Sequence, residues 1–126
     1  MSTIPYDDYV LKIHEYLTGG TALNAEMLKG TIDLLILSVL SEQDNYGYEI
    51  SKAIKERTEG TFEIQEATLY LSLKRLEKQG AISAYWGDQS HGGRRKYYTV
   101  TGEGKRTLER FIADWKKTVD IVNRFI

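Results

Sequence analysis

The spacing of the apolar residues changes twice along this chain of 126 residues, and this change limits the possible folds more than any other feature. Up to Gln79 the apolar residues recur every three or four positions, which is the spacing of helices that bury one face. Between Ile82 and Val100 they alternate with polar residues, as in half-buried strands. After Thr101 the helical spacing returns. The predicted order is therefore three helices, two strands and a final helix.

The three predicted helices are separated by polar or glycine-containing breaks. The polar run 41–45 follows the first helix, Gly60 caps the second at about 46–59, and Gly80 ends the third at about 66–79. Each helix has an apolar stripe that is predicted to face the core. Grouped by helix, the stripes are Leu28, Ile32, Leu35, Ile36, Val39 and Leu40; Ile50, Ala53 and Ile54; and Leu69, Leu73 and Leu76.

The two strands are predicted to form a hairpin, because residues 82–86 and 96–100 are rich in β-prone residues and flank a glycine-rich polar connection. That connection, 87–93, is longer than a tight turn, so its tip is expected to project. Three helices followed by a hairpin are the plan of a winged helix-turn-helix. The predicted fold class is thus mainly α with a small β-hairpin: a winged helix-turn-helix plus a long C-terminal dimerisation helix.

The last helix is predicted from about Glu103 to the end of the chain, with Thr101 as its N-cap. Its apolar residues are spaced 4, 3, 4, 3 and 4, a heptad pattern that needs a partner. A second copy is the simplest partner, and a two-fold homodimer would then read inverted half-sites in double-stranded DNA about 34–36 Å apart. The predicted dimer interface comprises Leu108, Ile112, Trp115, Val119, Val122 and Ile126.

Three segments follow from these patterns. Residues 1–26 form an extension without an assigned role, in which 1–24 are compatible with either an amphipathic helix or a loose arm. Residues 27–101 form the predicted DNA-binding domain, and residues 102–126 form the dimerisation helix. No signal peptide or membrane-length apolar run is evident, so the expected location is the cytoplasm, without a membrane partner.

Composition argues against catalysis and against a metal or other cofactor. The chain has no cysteine, which excludes disulfides, thiolate zinc sites and a cysteine nucleophile. His14 and His91 are its two histidines, and neither has neighbouring residues at the spacing of metal ligands. No phosphate-binding loop, dinucleotide-binding motif or nucleophile elbow is present. The prediction is a binding protein and not an enzyme.

Positive charge is concentrated in the second half of the chain. The net charge is −1, but residues 65–98 hold six basic and three acidic residues. In a helix-turn-helix unit the second helix of the motif enters the major groove, and a basic hairpin tip suits phosphates or a narrow minor groove. A solvated helix face and a solvated charge run are the simpler alternatives. The predicted DNA contacts are Thr68, Tyr70, Ser72, Lys74 and Arg75 on an exposed helix face, and Gly92, Gly93, Arg94, Arg95 and Lys96 in the wing.

Several of these residues together resemble the PadR family of transcriptional regulators over about residues 27–126. The resemblance depends on Glu66-Ala67-Thr68-Leu69-Tyr70, Lys74-Arg75-Leu76-Glu77-Lys78, Trp86, Gly92-Gly93-Arg94-Arg95-Lys96-Tyr97-Tyr98 and Thr101. Many family members have glycine where this chain has Ala67 and proline where it has Leu71. The resemblance implies a winged-helix DNA-binding regulator. The alternative from another class is a winged-helix module that binds proteins.

Within the family, the run 84–88 and Trp115 are most similar to the short multidrug-sensing branch of lactic-acid bacteria. This similarity implies a repressor of a drug-efflux gene that planar aromatic, often cationic, compounds release from DNA. A regulator of another operon, with a phenolic or unknown effector, is the alternative, and Trp115 then only fills the interface. The predicted effector site comprises Trp115, Ile112, Val119, Met27, Leu34 and Asp120.

Overall fold

The computed structural model describes residues 30–87 and 93–126. Their elements, in chain order, are α1 Thr31–Glu42, β1 Asn45–Tyr46, α2 Gly47–Arg57, α3 Glu66–Lys78, β2 Ile82–Trp86, β3 Lys96–Val100 and α4 Gly102–Asn123. This architecture confirms the predicted fold class, with a long C-terminal helix and a small antiparallel sheet. The N-terminal extension, His14, Met27 and Leu28 lie outside the described residues, and so do His91 and Gly92 in the wing.

Helix α1 occupies the centre of the fold, where it packs against α2, α3, β3 and α4. Ile36, Leu37 and Leu40 are fully buried. The predicted stripe is therefore narrower than the buried surface of α1, because it omitted Leu37. It also included Leu35, which is only half-buried. A helix with neighbours on several sides needs apolar residues around most of its circumference.

Glycines end α2 and α3, as the sequence predicted. Gly60 has φ +76° and Gly80 has φ +77°, the left-handed conformation that favours glycine after a helix. The Gly60 amide donates to the carbonyl oxygen of Lys55 at 2.8 Å, which satisfies one of the last carbonyls of α2. Residues 61–65 then join α2 to α3, and Ile64 in this link is buried.

The predicted hairpin is present, and a short third strand extends it. The sheet described here has the order β1-β3-β2 with antiparallel pairs, in which Tyr85 faces Tyr97 and Tyr46 faces Tyr97 from the other side. The structure thus places β1 inside the region that the sequence analysis treated as a polar break followed by a helix. This strand ties the turn before α2 to the wing.

Helix α4 is anchored at its start and free along most of its length. Thr101 caps it, because the Thr101 Oγ1 accepts a hydrogen bond from the Gly104 amide at 3.0 Å. Gly104 and Leu108 are buried, and Phe111 packs partly on the core. From Ile112 onwards every side chain of the chain is exposed. None of the helices among the described residues is long and apolar enough to cross a membrane.

Candidate nucleic-acid interface

Helix α3 presents a continuous exposed face opposite its buried leucines. Leu69, Leu73 and Leu76 are at most 2% exposed, as predicted, so the opposite side of the helix faces solvent. Thr68 is half-buried at the edge of this face. The exposed residues of α3 are Glu66, Ala67, Tyr70, Leu71, Lys74, Arg75 and Lys78. This face is the surface that a helix-turn-helix protein inserts into the major groove.

Ser72 does not lie on this face, so its predicted exposure is wrong. The residue is only 3% exposed, and its Oγ accepts a hydrogen bond from Arg75 Nη2 at 3.2 Å. Ser72 comes three residues after Leu69 and directly before Leu73, which places it on the buried side of the helix. Its hydroxyl is used within the fold and cannot reach a base.

Arg75, predicted to hold a phosphate, is bound to a buried carboxylate of α1. Its Nε lies 3.2 Å from Asp33 Oδ2 and its Nη2 lies 2.7 Å from Asp33 Oδ1, a two-point pair between helices. Asp33 is 6% exposed, whereas about half of the Arg75 side chain faces solvent. The hydrogen bond that Arg75 donates to Asp33 raises the pKa of Arg75, although burial opposes this shift. Arg75 therefore joins α1 to α3 while about half of its side chain remains in solvent, and its contact with DNA stays a prediction.

The wing cations lie over aromatic rings near the end of the hairpin that carries the connecting loop. The Arg94 guanidinium is 5.7 Å from the Trp86 ring centre, and that of Arg95 is 4.7 Å from the Tyr46 ring centre. Lys96 contacts Glu77 of α3 at 3.9 Å. These contacts leave the positive charge of Arg94 and Arg95 unneutralised by any carboxylate among the described residues. The two arginines are therefore the cations of the wing best suited to phosphates.

A cluster of tyrosines that was not predicted from the sequence supports the wing. Tyr97 stacks on Tyr85 with ring centres 5.7 Å apart and meets Tyr46 edge to face at 5.4 Å. The Tyr85 hydroxyl donates to Asp44 Oδ2 at 2.6 Å, which raises the pKa of Tyr85 and lowers that of Asp44. A side chain at Gly87 would overlap the Tyr97 ring. The only sequence signal for this cluster is the density of tyrosines in the two strands.

Tyr70 reaches back from α3 to the start of α2. A Cβ atom at Gly47 would lie 2.8 Å from the Tyr70 hydroxyl, so the two helices are in close contact at this point. Tyr70 is 47% exposed, and Tyr48 of α2 is 66% exposed. Tyr48 was not among the predicted DNA contacts. Its position beside the exposed face of α3 follows only from the way α2 packs on α3.

The proposed dimer and effector residues of α4 are exposed in the single chain, with one exception. Trp115 is 52% exposed, and its neighbours along the stripe are similarly open: Ile112, Val119, Val122 and Ile126 are 38%, 36%, 46% and 72% exposed. Leu108 is buried in its own chain, so the stripe that is open to a partner begins at Ile112. Asp120 pairs with Arg124 at 3.4 Å. Leu34 is half-buried against the core, and Met27 is outside the described residues.

No group of histidine, aspartate and glutamate residues able to hold a metal ion occurs within 30–87 and 93–126. The arrangement on these residues instead combines an exposed helix face, two wing arginines and an apolar helix stripe. Such a combination can bind a polyanion and a second protein chain.

Comparisons with known proteins agree with this geometry. A sequence model of the transcriptional regulator PadR-like family matches residues 36–110. Protein X of Lysinibacillus sphaericus is 43% identical over 104 residues, which are 82% of this chain and 95% of that protein. A transcriptional regulator from Clostridium thermocellum has a TM-score of 0.76 and 39% identity, over 83% of this chain and 99% of its own. A PadR family transcription regulator from Clostridium difficile R20291 has a TM-score of 0.67 and 46% identity, over 75% and 96% of the two chains. Since the family match covers more than half of its length, this chain belongs to the PadR-like family of transcriptional regulators.

Proposed function

We propose that the chain is a homodimeric repressor that binds inverted half-sites through α3 and the wing, and that planar aromatic cations release it from DNA. The observation that carries this proposal is the apolar stripe of α4, which continues for about three turns beyond the core and includes Trp115. A soluble helix rarely leaves such a stripe uncovered. A second copy would cover it and would set the distance between two α3 helices.

Trp115 is suited to more than interface packing. Near a two-fold axis, the indole of one protomer and that of its partner would form a slot for one flat ring. Stacking contributes about 0.5–1.5 kcal/mol beyond area burial, and a cation over indole adds about 0.5–2 kcal/mol. Asp114, which has no ion pair among the described residues, adds negative charge beside Trp115. For a repressor with such an effector, the best-fitting regulated gene is one that encodes a multidrug-efflux transporter.

A ligand in this slot would change DNA binding only if it favours one separation of the α4 helices over another. Helix α1 packs on both α4 and α3. A shift of α4 would therefore reach α3, the proposed recognition helix, through one intervening helix. Repression requires that the ligand-free spacing fits the operator. Release requires that the ligand-bound spacing fits it less well.

Arg94→Ala is expected to weaken operator binding and to reduce its dependence on salt. Each lost phosphate contact lowers the slope of log K against log salt by about 0.9, so the loss of one contact in each protomer lowers it by about 1.8. Fluorescence anisotropy with DNA from upstream of the protein's own gene, at several salt concentrations, measures this slope.

Arg57→Ala is a matched control for the wing variant, because it also removes one arginine per chain. Arg57 lies at the end of α2, where it pairs with Glu42. Its loss should leave the slope nearly unchanged. An equal fall in both variants would indicate a general effect of net charge and would remove the wing from the proposed interface.

Planar aromatic cations are expected to quench Trp115 fluorescence with saturation at one ligand per dimer. Trp115→Ala should weaken binding about tenfold or more, because both indole faces of the slot are lost. Fluorescence titration and isothermal calorimetry measure the affinity and the stoichiometry. Adding the same ligand to the DNA complex should release the DNA.

The second tryptophan, Trp86, lies in the wing and allows a control in the same titration. Trp86→Phe should keep the ligand-dependent quenching, since all of it comes from Trp115. Trp115→Phe should retain part of the affinity while sedimentation velocity still shows a dimer. If the quenching survives Trp115→Ala in a protein that remains dimeric, the effector site is elsewhere.

A further inference from the structure

A cleft of about 500 Å³ opens beside the first turn of α3. Its floor is apolar, since Ile64 is 5% and Leu69 is 2% exposed. The exposed rings of Tyr48 and Tyr70 line it from α2 and α3. The cleft thus lies at the end of α3 that a helix-turn-helix protein directs towards base edges.

Two carboxylates line this cleft, and they differ in their surroundings. Glu63, in the link before α3, pairs with Lys55 at 3.6 Å. Glu66, the first residue of α3, makes no hydrogen bond or ion pair with any residue of 30–87 or 93–126. A glutamate in this position interacts favourably with the helix dipole, which accounts for its presence but not for a role in binding.

A carboxylate at the leading turn of a DNA-binding helix has a strong effect on selectivity. It is repelled by phosphates, and having only acceptors it cannot pair with guanine O6 and N7 or with thymine O4. Cytosine itself presents the N4 amino donor and no acceptor in the major groove, and the adjacent acceptor is O6 of its paired guanine. Adenine offers an amino group next to N7, which would face the second carboxylate oxygen. An unpaired glutamate therefore favours cytosine and opposes the other three bases.

We propose that Glu66 is a specificity-determining residue that accepts a hydrogen bond from the N4 amino group of a cytosine in each half-site. This inference rests on the proposed placement of α3 in the major groove. Glu66 is exposed, so its carboxylate is open to a base edge. Glu63 is held by Lys55 and does not take part.

The test is selection of binding sites from a randomised DNA duplex by the full chain and by Glu66→Gln. The parent is expected to enrich a two-fold symmetric motif that contains a cytosine with roughly fivefold or greater preference at one position of each half-site. Glutamine pairs with adenine N6 and N7, so Glu66→Gln should change that position from cytosine to adenine. Anisotropy measurements on duplexes that differ only at this position give the fold-change directly.

Glu63→Gln is the matched control, because it removes the same charge from the same cleft. Both variants should bind all DNA somewhat more tightly, since both reduce repulsion of phosphates. Only Glu66→Gln should alter the selected base. The proposal is overturned if the parent and Glu66→Gln select the same motif, or if Glu63→Gln changes the same position.

Failure of the proposed function has a different signature in this experiment. If the parent enriches no motif, α3 does not read bases and both the proposed function and this inference are wrong. If the parent enriches a motif that Glu66→Gln leaves unchanged while Tyr70→Ala alters it, α3 reads DNA and only the assignment of Glu66 is wrong. Thermal unfolding of each variant confirms that the comparison is made between folded proteins.

Discussion

Gly104→Ala is expected to lower the free energy of unfolding by about 2 kcal/mol. A Cβ atom at this position would overlap the carbonyl oxygen of Ala81 and would lie 2.7 Å from Val100 Cγ2. The Ala81 carbonyl cannot move freely, because it accepts a hydrogen bond from the Thr101 amide at 3.0 Å. Overpacking of this kind costs about 1–3 kcal/mol, and backbone atoms favour the upper end. Better helix propensity offsets up to about 1 kcal/mol of this cost.

Urea unfolding measures this difference, and Gly102→Ala provides the control two residues earlier in α4. The nearest atom to a Cβ at Gly102 is Arg106 Nη1 at 3.8 Å, so the added methyl group meets only a flexible side chain. We expect the stability of that variant to stay within about 0.5 kcal/mol of the parent. Equal losses at both positions would mean that glycine is needed for the backbone and not for close packing of α4 on the core.

The helices and the hairpin were predictable because each buries one face, and burial of one face creates a local period in the sequence. The stripe Leu69, Leu73 and Leu76 is an example: its spacing predicted the three buried side chains of α3, and Gly80 predicted where the helix ends. The resemblance to the PadR family implied a DNA-binding regulator, and the absence of catalytic motifs indicated that the chain is not an enzyme. Membership of the PadR-like family confirms both conclusions.

Strand β1 was missed because two residues have no period. Asn45 and Tyr46 become a strand only by pairing with Tyr98 and Tyr97, which are more than fifty positions away. The tyrosine cluster depends on the same long-range pairing. No local propensity encodes such a contact, so the three-stranded sheet needed the structure.

The burial of Ser72 and the ion pair of Arg75 have one physical cause, a buried charged residue of α1. Asp33 lies within the apolar run of α1, and an acid there needs a partner. The partner is Arg75, and its guanidinium in turn holds Ser72. The signal that was available is therefore Asp33 itself: an acidic residue among buried apolar neighbours predicts that a nearby helix supplies a cation. The pattern of α3 considered alone places both Arg75 and Ser72 on the outside.

Arg75→Ala is expected to lower the free energy of unfolding by about 2 kcal/mol. The loss of one partner from a fully buried ion pair costs about 3–5 kcal/mol, and the solvent around the half-exposed arginine reduces that figure. The cost arises because the Asp33 carboxylate remains buried without a counter-charge. Chemical unfolding of the variant and the parent, at the same pH and salt, measures the difference.

Asp33→Asn tests the origin of this loss. The amide keeps the shape of the carboxylate but carries no charge, so the double variant with Arg75→Ala should be more stable than Arg75→Ala alone. Strict additivity of the two single changes would contradict the ion pair as the cause, because residues that interact give non-additive effects.

Lys74→Ala separates the role of Arg75 in the fold from a role in DNA binding. Lys74 is the preceding residue of α3, is exposed, and makes no ion pair with the part of the chain that the structure describes. Its loss should leave stability within about 0.5 kcal/mol of the parent but lower the salt slope of DNA binding by about 1.8 per dimer. Arg75→Ala should show the opposite profile, with lower stability and a slope close to that of the parent. If Arg75→Ala also lowers the slope by this amount while the protein remains folded, the Asp33-bound guanidinium still reaches a phosphate. The predicted contact of Arg75 with DNA would then be correct.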